Sequence, residues 1–322
     1  MRHGLRTRLG VTAVLGVLLL GGCGQPSGLD GNLVNGWSAM SEPIGFAPVA
    51  GACHLANFAV VGTRGVYEEA DCEIKHRTET AYVGEYTDPA AEASTPPNEG
   101  SAGARAAYRT CDEQTTKFVG APWRTGRLWI GVTHPSAAAW AGGAHWFRCE
   151  VLEISSIEDD GGLVLRLGSI KNALKPSTSD LRLTCYAIQL DNAGAIDTMP
   201  ASDCTTKHNA EFVGVWNAGD LDYPTGDAQW ARFHTGCRTL IGKYANVPDD
   251  KDLQYRTGVV SLPGGEDVWA LGDRGCAVLP VARRRRADHL AEGQGHQGHA
   301  HPIQVTVRTS ADPGSMLSHR RG

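Results

Sequence analysis

The sequence predicts an α+β fold built from two tandem copies of a small, mostly antiparallel sheet with one main helix, stapled by disulfides. Two observations carry this. Residues 71–84 read DCEIKHRTETAYVG and residues 203–214 read DCTTKHNAEFVG, so Cys72, Lys75, His76 and Glu79 recur as Cys204, Lys207, His208 and Glu211, each shifted by 132. The cysteines recur with them: Cys53 answers Cys185, Cys111 answers Cys237, and Cys149 loosely answers Cys276. Pro135 and Trp140 have counterparts in Pro263 and Trp269. Self-similarity of this kind is the mark of a duplicated unit.

The N-terminus sets the compartment. Met1–Leu9 carries Arg2, Arg6 and Arg8 and no acid, and Val11–Leu20 is apolar. That is a signal peptide in pattern, and it is too short to span a bilayer comfortably. It ends in Leu20-Gly21-Gly22-Cys23, which resembles the lipobox of bacterial lipoproteins. The resemblance implies that residues 1–22 are removed and that Cys23 is lipidated, carrying palmitate or a similar acyl chain. Residues 23–46, rich in Gly, Ser and Asn over Gln25–Asn35, are expected to form a flexible tether. The mature chain is thus expected at the cell membrane, lipid-anchored on the extracytoplasmic face. In that oxidising compartment paired cysteines default to disulfides.

There are nine cysteines; with Cys23 assigned to lipid, four remain in each copy. Four cysteines allow three connectivities, and sequence alone does not choose. The favoured pairing is Cys53–Cys72 with Cys111–Cys149, and Cys185–Cys204 with Cys237–Cys276. The first bridge of each set would join neighbouring strands and the second would pin a helix to a strand, each adding about 2–4 kcal/mol. A metal reading would use Cys72-x-x-x-His76 and Cys204-x-x-x-His208. No C-x-x-C pair accompanies them, so no metal and no cofactor is expected.

Within the first copy (47–155), Phe58–Val61, Ala81–Tyr86, Leu128–Val132 and Trp146–Glu153 read as strands. Ser101–Phe118 reads as a helix, with Ala104, Ala107, Tyr108, Cys111 and Phe118 mostly on one face. Ser136–Trp140 reads as a short helical turn, and Pro89–Ala102 as a surface loop. In the second copy (181–280), Trp230, Phe233, His234, Cys237, Leu240, Ile241 and Tyr244 follow the same three–four spacing. Tyr255–Leu262 and Asp267–Trp269 echo the later strand and turn. Residues 156–180 read as a connector.

The Cys72–Gly84 and Cys204–Gly214 stretches, with the later Pro…Trp…Gly…Cys, resemble the septum-formation domain. That domain occurs in secreted proteins and lipoproteins of high-GC Gram-positive bacteria. The resemblance covers most of residues 47–276 and implies a link to cell division or envelope assembly. It implies no reaction and brings no catalytic residues.

His76, Glu79, His208 and Glu211 could be metal ligands or general bases. They could equally hold a turn in place, with each His bonding backbone or the Glu three residues on; the structural role is the one expected. G-x-S-x-G, H-E-x-x-H, a P-loop and an EF-hand loop are all absent. Trp140 and Trp269 are expected to plug the cores, with a glycan-binding platform as the alternative. Lys75 and Lys207 are expected in solvent, where they could meet an acidic envelope polymer. The chain carries a net charge of −5, and its body is more acidic than that once the basic ends are set aside. An acidic body argues against nucleic acid as a partner. The expected partners are the membrane, through the lipid, and an envelope protein or glycan.

After Cys276 the character changes. Arg283–Arg286 is an unbroken basic run, and His289, His296, His299, His301 and His319 crowd a Gly/Gln-rich stretch. Residues 281–322 are expected to form a disordered tail, the product of a shifted reading frame from near Arg274. Read one base later, compatible codons allow a cysteine at position 278, a tryptophan at position 281 and a closing S-L-K-G-K-G-T-K, which echoes Gly168-Ser169-Ile170-Lys171. The shift would also restore the nine-residue gap from Trp140 to Cys149, which is seven between Trp269 and Cys276. The nucleotide sequence of the gene decides this.

The expected function is that of a non-enzymatic, lipid-anchored scaffold for binding or assembly, linked to septum formation. The alternatives are an envelope hydrolase or metal-dependent enzyme using His76/Glu79 and His208/Glu211, and a ligand-binding lipoprotein with a cleft between the copies.

Overall fold

A computed structural model describes residues 46–281, except Tyr67, 159–161 and 193–195, together with Gln304 and Val305. The expected signal peptide, Cys23 and all of the tether but Phe46 lie outside the described residues, as do 282–303 and 306–322 of the tail.

In the N-terminal half the elements run β1 (Cys53–His54), β2 (Val61–Gly62), β3 (Glu69–Ala70), β4 (Thr78–Glu85), α1 (Ala102–Val119), β5 (Leu128–Pro135), α2 (Ala137–Ala141) and β6 (Trp146–Glu153). They form one six-stranded sheet in the order β2-β5-β6-β4-β1-β3, antiparallel except for β2 beside β5. The strand expected at Phe58–Val61 shrinks to Val61–Gly62. Its neighbourhood is fixed instead by single bonds to β5, such as His134 N to Val60 O at 2.9 Å.

Helix α1 forms where its ends are capped. The Ser101 side chain accepts from Ala104 N, and Gly120 closes the helix in the left-handed region at φ 86°. Its buried stripe of Ala104, Ala107, Tyr108, Cys111, Thr115 and Val119 lies on β4, β5 and β6.

The C-terminal half runs β7 (Cys185–Tyr186), β8 (Gln189–Leu190), β9 (Ile196–Thr198), β10 (Ala201–Ser202), β11 (Ala210–Glu211), β12 (Gly214–Asn217), α3 (Asp227–Tyr244), α4 (Leu253–Arg256), β13 (Gly258–Pro263), α5 (Glu266–Ala270) and β14 (Gly275–Val281). Its sheet is ordered β10-β7-β11-β14-β13, with β12 also on β14. The expected Tyr255–Leu262 strand begins at Gly258, because residues 253–256 close into a helical turn. Gln304–Val305 (β15) pairs in parallel with Val259 and Val260, so this part of the expected disordered tail is a strand on the sheet edge. That edge position corresponds to the one β2 holds beside β5.

Three of the four expected disulfides are present: Cys53–Cys72, Cys111–Cys149 and Cys185–Cys204. The fourth, Cys237–Cys276, is a correction. Both are free, buried thiols with sulfurs 3.6 Å apart. The register gives the reason. Cys149 faces Tyr82 and Val132 across the ladders. Cys276 arrives two residues early after its tryptophan and faces Trp216 and Pro263 instead.

Residues 163–175, expected within a connector, pack against the N-terminal half as a strap. Val164 N bonds Glu153 O, Arg166 exchanges two backbone bonds with His76, and Gly168 N bonds Cys72 O at 2.9 Å. Asn172 N and Leu174 N then bond Phe118 O and Val119 O at the end of α1. Ile170 and Leu174 enter the core of that half.

The two halves share that core. Val268 of α5 is buried in it, with Leu271 packed alongside. Asp273, 4 % exposed, accepts from Tyr108 Oη at 3.1 Å and from Arg124 at 2.7 Å. Among the described residues no helix is long and apolar enough to cross a membrane.

Candidate functional site

The repeated residues converge in each half on one arrangement. In the N-terminal half, Cys53 of β1 stands opposite Glu79 of β4. The Cys53–Cys72 bridge ties down the next turn, where Asp71 accepts from Glu73 N and Ile74 N. This brings in His76, whose Nδ1 donates to Ile74 O at 2.9 Å. Ligand atoms of Cys53, His76 and Glu79 all lie within 4.8 Å of one another. Glu79 accepts from Ser169 Oγ and from Ile170 N, the latter at 2.6 Å. His76 and Glu79 are each 1 % exposed, and His76 Nε2 has no hydrogen-bond partner.

The C-terminal half repeats the geometry in a more open form. Glu211 stands opposite Cys185. Asp203 accepts from Thr205 N, and His208 Nδ1 donates to Thr206 O at 2.8 Å. Here His208 Nε2 bonds Glu211 Oε1 at 2.8 Å, and the Tyr244 hydroxyl donates to Glu211 Oε2. The Glu211 hydrogen bond raises the His208 pKa above the ordinary 6.5. The bonds from Tyr244 and then His208 hold the Glu211 carboxyl below its ordinary value. Lys75 and Lys207 are exposed.

Neither cluster offers a thiolate. Cys53, Cys72, Cys185 and Cys204 are all consumed in disulfides, so the donor set is a His–carboxylate pair, two ligands short of a closed zinc site. Chemically each cluster can hold a turn rigid. The C-terminal one can also exchange a proton with solvent.

Trp140 and Trp269 plug their cores at 2 % and 4 % exposure, which leaves no indole face for a glycan. Each donates its indole N–H to a carbonyl of the preceding loop, Ala93 O and Leu221 O. Each also meets a tyrosine edge-on, Tyr86 and Tyr223 respectively.

A family model described as septum formation matches residues 50–277. The chain belongs to the septum-formation family. No curated protein and no solved structure matches it significantly. Membership fits the two Cys–His–Glu arrangements, which occupy equivalent places in both halves of the matched region.

Sequence reasoning missed several parts of this septum-formation protein. Ser169, Ile170 and Tyr244 complete the two carboxylate sites from far along the chain. A buried chain of side chains runs from His54 Nε2 to Thr80 Oγ1 at 2.9 Å, on to Glu150 at 2.8 Å, and to Arg148 at 3.0 Å. In the C-terminal half His234 meets Ser261 at 3.0 Å. For the buried side chains of the strands and of α3 one signal was available, polar residues in strongly apolar stretches, and for Ser169 and Ile170 there was none.

Proposed function

We propose that this septum-formation protein is a non-enzymatic, lipid-anchored scaffold on the extracytoplasmic face of the cell membrane. It would consist of two duplicated modules that capture an envelope protein or glycan during septum formation. The observation that carries this reading is the inward bonding of the repeated residues. His76, Glu79, His208 and Glu211 bond to their own turns, to the strap or to the end of α3. Duplication is supported by the sheet order β5-β6-β4-β1-β3 against β13-β14-β11-β7-β10, by the Cys–Glu rungs, and by a disulfide separation of 19 in both halves. The lipid anchor is supported by Leu20-Gly21-Gly22-Cys23.

The test is His76→Ala combined with His208→Ala. The scaffold reading expects lower thermal stability with partner capture from intact cells preserved. Unchanged folding with loss of a measurable turnover would favour an envelope hydrolase instead.

A second reading, a ligand-binding protein, is favoured by an apolar cavity of about 250 Å³. Phe58, Trp129, Val132, Val268 and Leu271 line it, so both halves contribute. Native mass spectrometry of protein extracted from cells under mild conditions would reveal a retained apolar ligand.

A further inference from the structure

The apolar cavity between the halves runs along one edge of the N-terminal sheet. Strand β5 pairs with β6 on its inner side, in an unbroken register from Leu128 to Thr133. On its outer side it meets β2 only at His134 and Pro135. His134 N donates outward to Val60 O at 2.9 Å, and in an antiparallel strand every second residue turns its N–H and C=O the same way. Ile130 and Val132 therefore turn theirs outward as well, and among the described residues no backbone group meets them. Ile130 is fully covered, whereas Val132 is 9 % exposed and lines the cavity, so Val132 is the rung left open. In the other half the corresponding rung is filled: Val260, three residues before Pro263 as Val132 is before Pro135, pairs with Val305.

The lining sets what can enter. Phe58 and Trp129 meet edge-on with ring centroids 4.8 Å apart, over Gly131, where a Cβ would collide with the Phe58 ring. An apolar cavity of about 150 Å³ takes one benzene ring, so the 250 Å³ here takes one or two apolar side chains. Two exposed carboxylates also line it, Glu99 from the loop before α1 and Asp267 from α5, and neither lysine nor arginine is among its described lining residues. The described residues at the C-terminal end of the chain are engaged elsewhere. Val281, Gln304 and Val305 pair with Gly258, Val259 and Val260, at the end of β13 away from α5. A separate molecule is therefore the occupant these contacts favour.

We propose that the cavity binds a short apolar peptide with a free amino end; the proposal rests on the ligand-binding reading above. One apolar side chain enters between Trp129, Val268 and Leu271. The peptide's amide N–H donates to Val132 O, and a peptide carbonyl accepts from Val132 N. The ammonium group lies between Glu99 and Asp267, in charge-assisted bonds of the stronger kind. Strand addition and capture of an amino terminus are recurring ways of holding a peptide, combined here at one site. Each part excludes a different competitor. The carboxylates disfavour fatty acids and other anions, and a plain hydrocarbon would leave the Val132 groups unpaired.

The test is displacement of N-phenyl-1-naphthylamine, a neutral apolar fluorophore, from the full chain by leucyl-leucine amide. The fluorophore is expected to bind and the peptide to displace it with saturable 1:1 behaviour. Acetylating the amino end, or methylating the internal amide nitrogen, should each weaken displacement about tenfold or more. Glu99→Gln with Asp267→Asn should abolish the effect of acetylation, with circular dichroism showing the fold retained; an acetylation effect that persists overturns the proposal. Fluorophore binding without displacement, or equal displacement by the acetylated peptide, overturns the peptide assignment and leaves the cavity as a ligand site. Neither fluorophore binding nor heat on titrating the peptide sinks the ligand-binding reading with it. Displacement seen only after removal of residues 282–322 assigns the cavity to this chain's own C-terminal stretch and overturns the proposal.

Discussion

Arg124 and Asp273, 149 residues apart, form an ion pair at 2.7 Å that joins the two halves. Asp273 also accepts from Tyr108 Oη and from Gly275 N, while Arg124 bonds Asp112 as well. Burial, reinforced by the neighbouring Asp273 carboxylate, pushes the Tyr108 pKa far up, so its hydroxyl remains a donor. Asp273→Ala removes the acceptor shared by Tyr108, Arg124 and Gly275 N and leaves the Arg124 guanidinium with Asp112 alone. The expected loss is about 2–3 kcal/mol in urea denaturation. A loss below about 1 kcal/mol would mean that the joint is wet and weak.

The cysteines give a chemical test. Alkylation in denaturant without reductant should mark Cys237 and Cys276 and leave Cys53, Cys72, Cys111, Cys149, Cys185 and Cys204 unmarked. In native protein both free thiols should resist, because they are buried and burial pushes the Cys276 thiol well up. Removing Cys111 and Cys149 together should cost about 2–4 kcal/mol. A peptide map that links Cys237 to Cys276 would contradict the fold at that rung.

Two histidines should titrate in opposite directions. His208 is raised above 6.5 by the Glu211 hydrogen bond. Its contribution is complete below the unfolded value and fades as pH rises through the folded one. His234 is lowered to about 4, first by burial and then by Arg238. Its contribution is present above 6.5 and fades as pH falls toward 4. For His234 this amounts to about 3 kcal/mol. NMR titration of the ring protons checks both directions, and thermal melts of His234→Gln across the acid range check the second.

The buried pair Arg148 and Glu150, each 1 % exposed, should behave asymmetrically. Glu150→Ala leaves Arg148 buried without its carboxylate and takes the acceptor from Thr80, at about 3–5 kcal/mol. Arg148→Met with Glu150→Leu removes both charges and should cost less than either single change. Denaturation of the three variants decides it. A double variant as unstable as the sum would show that the charges act independently.

The sequence carried the local signals well. The apolar stripe of α1 and the strands read at 128–132 and 146–153 follow from periodicity, and the first of these strands runs on to Pro135. The recurrence of Cys53 and Cys72 as Cys185 and Cys204 favoured those bridges, while four cysteines per copy left three connectivities open. Strands of two residues such as β1, β7 and β11 were not readable, because alternation needs four or more residues to register. Ser169 and Tyr244 could not be placed beside Glu79 and Glu211, since nothing local encodes a contact across 90 or 33 residues. Cys237–Cys276 failed for a related reason. Counting cysteines assigns partners, but a two-residue shortening after Trp269 moves the ladder rung.

Val268 and Leu271 belong to the core of the half they are not part of. A chain ending before them would leave a hole among Ile130, Val132 and their neighbours, and a fragment starting after the strap would present those two side chains to water. Neither half is therefore an independent building block. Partial loss of either stretch of the gene would be expected to yield an aggregating product, so the paired arrangement would be kept or discarded as a whole.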